Sequence, residues 1–382
     1  MTKITLNPYK SVSLSLSLFY FFYFAMVGVY VIFMPKVLKD LSYSAVEIGA
    51  IYTSAPLMRF LLPFIFKKWI KLDKRVYFIS LIATTVITAL FFITIKNFWL
   101  FLFINFAFGG AMGAVLPFVE VIALESVGKE KYGKVRLWGS IGFAVIAFVL
   151  GNILNSYIMA LSFLFAMTFL TLIFGLILAR FDKSLEIKKD NTKDNSNFSL
   201  LKYWAFWASI FLFQLSFGGF YNFFTIYETS NNIPLDIVSY LWIFGVVCEI
   251  VMLIFQGPLL KRFKLLTLLI ITTSSAIFRW LLVAFYPKSI TLMLIAQATH
   301  ALNFALYYTA AIAYVYTLYK QKQLAQQFFL GLSFGLGGAL GAIISGVIYK
   351  ISPSGLFIFE AFIALLAVIF LIIHKRRKEY VK

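Results

Sequence analysis

The sequence predicts an all-α membrane protein whose twelve transmembrane helices form two six-helix halves. Three observations predict it: apolar composition gathered into unbroken runs, lysine and arginine confined largely to one side of those runs, and a weak repeat relating the two halves. Of 382 residues, 62% are hydrophobic and only 13% charged. Soluble chains are roughly 45–50% apolar and about 25% charged, so this chain has too little polar surface to cover its apolar side chains. Runs such as Val76–Ile95, Tyr157–Ala179 and Leu356–Ile373 rise about 1.5 Å per residue as helices, enough to cross a hydrocarbon core roughly 30 Å thick. The alternating pattern of a membrane barrel does not occur. Only helices and closed barrels satisfy their backbone groups in lipid, so the runs are helices.

The predicted spans are 13–34, 46–66, 76–95, 98–124, 135–155, 157–179, 203–227, 238–259, 265–286, 289–317, 326–349 and 354–373. With the N-terminus inside, about 26 of the Lys/Arg residues fall in cytoplasmic segments and about 5 outside, the excess that sets membrane orientation. Both termini are therefore expected in the cytoplasm, with the chain integral to a bacterial cytoplasmic (inner) membrane and the lipid bilayer as its surroundings. The net charge of +19 follows from this topology. Clusters such as Lys67-Lys68, Lys74-Arg75, Lys261-Arg262 and Lys375–Lys378 lack aromatic interleaving suited to bases, so nucleic acid is not an expected partner. A single cysteine, Cys248, excludes an intramolecular disulfide or a cysteine-based metal site. The first apolar run is too long for a signal segment and lacks a small-residue cleavage site, so it reads as a retained span.

The longest polar stretch between spans, Arg180–Phe198, stands near the midpoint. Its Lys/Asp/Asn/Ser composition predicts a flexible linker. The expected organisation is a six-helix bundle over 1–180, a cytoplasmic linker over 181–200 and a second bundle over 201–382. Trp138-Gly139-Ser140-Ile141-Gly142 returns as Phe334-Gly335-Leu336-Gly337-Gly338, and Gly49 as Gly245, at an offset of about 196 residues, the mark of parallel repeats in transporters. Gly109 and Gly113, and Gly337 and Gly341, are spaced to share a helix face and admit close helix packing.

Ionisable groups at membrane depth are expensive, which makes each one a functional candidate. They are Arg59, Glu120, Arg136, Glu249, Arg279, His300 and Glu360, with Gln214, Asn222, Gln297 and Asn303 adding uncharged polarity. Glu249 and His300 fall near the middle of their spans, and Arg279 slightly nearer the outside. Carboxylate, guanidinium and imidazole on consecutive helices suit proton coupling; a fixed Glu249–Arg279 bridge serving packing is the other reading. Arg136 suits a substrate carboxylate through two parallel N–H bonds, with Glu120 beside it, or the two form a structural pair. Arg59 reads as snorkelling, and Glu360 as reaching the outer interface. Tyr20, Tyr23, Phe24, Tyr30, Phe220, Tyr221 and Phe224 lie on the first and seventh spans, where they would line an aromatic cavity or simply pack. No phosphate-binding loop, nucleophile elbow or zinc-protease motif occurs, so an ATP-driven pump and a hydrolase are not expected, nor is any cofactor.

Leu116-Pro117-Phe118-Val119-Glu120, followed by Tyr132-Gly133-Lys134-Val135-Arg136-Leu137-Trp138-Gly139-Ser140-Ile141-Gly142, resembles the fourth and fifth spans of lactose-permease-like members of the major facilitator superfamily. The resemblance is closest to their phenylpropionate permease branch. Further similar stretches are Phe19–Phe24 with Gly28-Val29-Tyr30, Gly245-Val246-Val247-Cys248-Glu249-Ile250, Phe278-Arg279-Trp280-Leu281-Leu282, Gln297–Leu302 and Leu332-Ser333-Phe334-Gly335-Leu336-Gly337-Gly338. The resemblance covers nearly the whole chain. It implies proton-driven symport by alternating access, with Glu120 and Arg136 at substrate-binding places and Arg279 and His300 in the proton-coupling cluster. One turn after His300, where lactose permease has a carboxylate needed for coupling, stands Asn303, which moves the burden to Glu249. The loop after the second span also departs: Lys67 and Lys71 stand where a glycine and an aspartate are expected, with Asp73 as a substitute.

The expectation is a proton-coupled symporter of a small organic solute, an aromatic or other monocarboxylate. Glu120, Arg136, Tyr20, Tyr23, Tyr221 and Asn222 are its candidate substrate residues, and Glu249, Arg279, His300 and Asn303 its candidate coupling residues. Substrate and proton are the expected small partners, and no obligatory protein partner is expected. Alternatives within the same fold are a sugar or nucleoside symporter or a drug exporter. An integral-membrane lipid-modifying enzyme is the alternative from another class.

Overall fold

A computed structural model describes residues 8–70, 73–180 and 199–380. Among them are 12 helices long and apolar enough to cross a membrane. They are α1 (Ser11–Asp40), α2 (Ala45–Phe66), α3 (Lys74–Thr94), α4 (Phe98–Gly128), α5 (Lys131–Ile153), α6 (Tyr157–Leu178), α7 (Leu201–Ser230), α8 (Leu235–Arg262), α9 (Leu265–Phe285), α10 (Ile290–Leu318), α11 (Leu324–Ile351) and α12 (Pro353–Arg377). The architecture is the all-α, twelve-span fold that the sequence predicts. Residues 181–198, most of the expected linker, and residues 71 and 72 of the loop after α2 lie outside the described residues.

Polar residues fix where the helices begin. Ser44 and Glu47 form a capping box at α2, and Asp73, Asn97, Ser156 and Ser289 each accept a backbone N–H at the starts of α3, α4, α6 and α10. Such caps satisfy donors that a helix start leaves open. Asp73 thus serves as a helix cap. The α1–α2 and α7–α8 turns each hold one residue in the left-handed region, Ser42 (φ 69°) and Asn232 (φ 66°). These corresponding turns use the same backbone device, consistent with the repeat.

Helix ends differ from the predicted ones where tertiary structure or local pairing extends a helix past its apolar run. α1 continues to Asp40, its last turn carrying a Lys36–Asp40 pair at 2.6 Å, the spacing that stabilises a helix surface. α7 reaches Ser230 and is broken between Leu215 and Gly218. α1, α10 and α11 each widen into a π turn, at Val29–Phe33, Ala301–Leu306 and Gly331–Gly337. Such local widenings often sit at functional positions.

The halves meet mainly along α2–α11, α5–α8 and α1–α7. A Cβ on Gly49 would lie 2.7 Å from the Ala342 carbonyl oxygen, and one on Gly151 would lie 2.5 Å from Ser239 Cβ. Asn152 accepts a hydrogen bond from Tyr240 at 3.3 Å, and Phe143 packs on Trp242. These residues lie towards the face opposite the termini, where the halves are drawn together. Gly109 lies within van der Waals distance of the Ala55 backbone and Gly341 of Leu215 and Gly218, so both glycine pairs do serve close packing.

Candidate functional site

In the second half, α8, α9 and α10 bring four polar side chains into one line. Gly245, one turn before Glu249, leaves room for α10: a Cβ there would lie 3.2 Å from Gln297 Oε1 and 3.6 Å from His300 Cβ. Glu249 Oε2 stands 3.4 Å from His300 Nε2. The other ring nitrogen, Nδ1, is 3.2 Å from Arg279 Nη1, and Arg279 Nη2 donates to Gln297 Oε1 at 2.9 Å. A guanidinium carries only donors, so Nδ1 accepts, which leaves the ring proton to Nε2, the nitrogen that faces the Glu249 carboxylate. Arg279 is fully buried, and its guanidinium lies 4.2 Å from the Phe220 ring centre and 4.8 Å from that of Trp280. These π faces replace part of the lost hydration. Glu249 and Arg279 do not bridge directly; His300 stands between them.

In the first half, α1 and α5 approach closely enough to bury a cation against rings. Gly142 packs on the Phe21 backbone, and a Cβ on Gly139 would lie 2.6 Å from Phe24. That approach sets the Arg136 guanidinium 3.9 Å from the Phe24 ring centre and 5.4 Å from that of Tyr20. Arg136 Nε is 3.5 Å from Glu120 Oε1, and Tyr132 donates to Glu120 Oε2. The guanidinium thus has a carboxylate on one edge, rings on its faces and a side chain still 32% exposed. Its remaining N–H groups can meet an anion in the fork geometry that suits a carboxylate.

Twelve apolar spans with polar clusters between them describe a polytopic membrane protein, and a family comparison says which kind. The family described as "MFS_1 like family" matches residues 13–360. The chain belongs to that family. Its fold is the major facilitator fold, and the relatives it matches are named transporters. A curated relative from Escherichia coli (strain K12), named a probable 3-phenylpropionic acid transporter, is 24% identical over 243 residues, covering 61% of this chain and 63% of that protein. The uncharacterized transporter YwbF of Bacillus subtilis (strain 168) is 24% identical over 242 residues, covering 61% of this chain and 59% of its own. The matched stretches therefore span less than two thirds of each curated relative. The crystal structure of the nucleoside transporter NupG superposes with a TM-score of 0.76 at 18% identity, over 95% of this chain and 98% of that one. At that identity the likeness speaks for the fold.

The transporter's other predicted site residues are placed as follows. Tyr23 is buried, its ring stacked on Phe19, and lies within electrostatic reach of Arg136 and Glu120. Tyr221 packs its ring against Phe217 and Phe220. Asn222 directs its amide to the Gly218 carbonyl of its own helix, at 2.7 Å. Asn303 turns its amide nitrogen to α9, donating to the Thr272 carbonyl and to Ser275 Oγ, each at 2.8 Å. Its Oδ1 has no hydrogen-bond partner, and the residue lines a small cavity with Gln214, Tyr307, Tyr308 and Ser333. Arg59 is exposed.

Two carboxyl groups differ from the sequence reading. Glu360 does not reach the outer interface: it is 1% exposed, and its Oε1 accepts the Gly219 N–H at the break in α7. Glu228, expected just beyond a span, lies inside α7 with no exposure. Both are more deeply buried than Glu249, whose side chain is 18% exposed. The signal that could have found Glu360 was Gly218-Gly219 in the middle of α7, a point where a helix can open its backbone to a partner.

Proposed function

We propose that this transporter is a proton-coupled symporter that takes up a small monocarboxylate, with an aromatic acid as the leading class. The observation that carries the coupling is the Glu249–His300–Arg279 line, in which one imidazole stands between the carboxylate and the cation. A proton arriving from the membrane surface finds Glu249 as its acceptor, because His300 cannot take a second one while Arg279 donates to Nδ1. Neutralising Glu249 removes the charge that holds His300 in place and frees α8 and α10 to rearrange. The proton gradient is the energy source, and no cofactor is required.

The anion preference rests on Arg136. Two aromatic faces and one carboxylate position the guanidinium while leaving edge donors open. The Escherichia coli relative, named a probable 3-phenylpropionic acid transporter, supports an arylalkanoate such as 3-phenylpropionate. The membrane is the bacterial cytoplasmic membrane with both termini on its inner side, as the Lys/Arg asymmetry favours. Uptake by reconstituted protein under an imposed proton gradient, with aromatic acids, their amides, sugars and nucleosides as the panel, tests this reading. Gradient-driven accumulation of an acid and not of its amide is expected; accumulation of a sugar or nucleoside alone would move the reading to those solutes.

A further inference from the structure

Glu360 of α12 meets the break in α7, and its surroundings are built around a carboxyl group. A helix start carries backbone N–H groups without intrahelical partners, and the Gly219 N–H at this one points to Glu360 Oε1. A Cβ on Gly219 would lie 2.8 Å from that oxygen, so glycine is what admits the carboxyl. Glu360 Oε2 has no hydrogen-bond partner, and neither has Arg279 Nε. Arg279 lies on α9, which packs along α12. Its two Nη atoms are turned away, to His300 and Gln297. One donor of the cation and one oxygen of the carboxyl are thus both unengaged on neighbouring helices. An ionised carboxylate in this apolar setting, with no direct cation partner, is far less favourable than the neutral acid.

We propose that Glu360 is a second proton-carrying acid of the coupling machinery, and that Arg279 exchanges His300 for Glu360 when Glu360 gives up its proton. This rests on the proton-coupled reading above. The balance is simple: the O–H bond of the Glu360 carboxyl breaks, the proton leaves to water in the opened pathway, and the electron pair stays on oxygen. The Arg279 N–H groups then turn to the new carboxylate. His300 Nδ1, released from the guanidinium, becomes a free acceptor, so the state of Glu360 reaches Glu249 through one imidazole. Glu228 is in no ion pair among the described residues, and both its oxygens are without a hydrogen-bond partner.

The test compares Glu360→Gln with the parent in proteoliposomes, using 3-phenylpropionate as the probe. Gradient-driven accumulation is expected to fall at least about tenfold while equilibrium exchange stays within about twofold, since glutamine mimics the protonated acid. A purely structural role would move both together. Accumulation retained by Glu360→Gln would overturn the proposal while leaving the symport reading intact, whereas a parent protein indifferent to the gradient would sink the symport reading itself. Infrared difference spectra of the Glu228→Gln/Glu249→Gln protein across a pH titration need no substrate and cover a variant that transports nothing. A titrating carboxyl C=O band that Glu360→Gln removes is expected, and its absence overturns the proposal.

Discussion

Arg279 Nη1 lies 3.2 Å from His300 Nδ1, and this one contact fixes the tautomer of the histidine. The ring must accept on that side and donate from Nε2, where Glu249 Oε2 waits at 3.4 Å. A side chain that both accepts from Arg279 and donates to Glu249 can therefore replace it, and an apolar one cannot. His300→Gln is expected to keep the fold near parent stability. His300→Leu leaves the Arg279 and Glu249 groups without their shared hydrogen-bond partner, and leaving a buried polar group unsatisfied costs about 1–3 kcal/mol. Thermal unfolding in detergent checks this; equal destabilisation by both variants would mean that the line of contacts is not what holds these helices.

Glu249→Gln imitates a permanently protonated site. Gradient-driven accumulation is expected to vanish while exchange of solute across the membrane continues. Parallel accumulation and exchange assays decide it, and uphill transport by the variant would remove Glu249 from the coupling role.

Arg136→Lys keeps the charge and loses the planar fork. A charge-assisted hydrogen bond is worth roughly 1.5–3 kcal/mol and about 1.4 kcal/mol is tenfold, so acid affinity should fall about tenfold or more. The uncharged amide should bind variant and parent alike. Joint replacement of Glu120 and Arg136 by neutral residues discriminates further: recovery of acid binding in that double variant would make the pair structural.

Closure of the face opposite the termini depends on Gly151 of α5 and Ser239 of α8, close enough that a Cβ on Gly151 would lie 2.5 Å from that of Ser239. Disulfides hold Cβ atoms about 3.5–4.5 Å apart, a separation that a small shift of the two helices provides. In a Cys248→Ser background, Gly151→Cys with Ser239→Cys is expected to cross-link on mild oxidation and arrest transport, with reductant restoring it. Transport by the fully cross-linked protein would show that the two helices need not part there.

The spans are legible in the sequence because bilayer thickness writes itself into run length. α10, predicted at 289–317, is found at Ile290–Leu318. Ends are less legible where something other than apolarity holds them, as with the Lys36–Asp40 pair that carries α1 past its apolar run. Of the candidate site, the Glu249, Arg279 and His300 helices can be matched by depth, but not the interposed position of His300. That position depends on how closely α10 approaches Gly245. Glu360 escapes sequence reasoning because counting from a helix end measures depth and not direction, and only the packing of α12 on the broken α7 turns its carboxyl inward.

The central claim, that solute and proton cross together, is tested most directly by proton movement itself. Proteoliposomes carrying a trapped pH-sensitive dye, with no proton gradient imposed and membrane potential clamped, receive 3-phenylpropionate on the outside. Downhill entry of the solute should acidify the interior through the parent protein and not through Glu249→Gln, with a control for passive entry of the neutral acid in protein-free vesicles. Solute entry through the parent without any internal acidification beyond that control would contradict proton coupling.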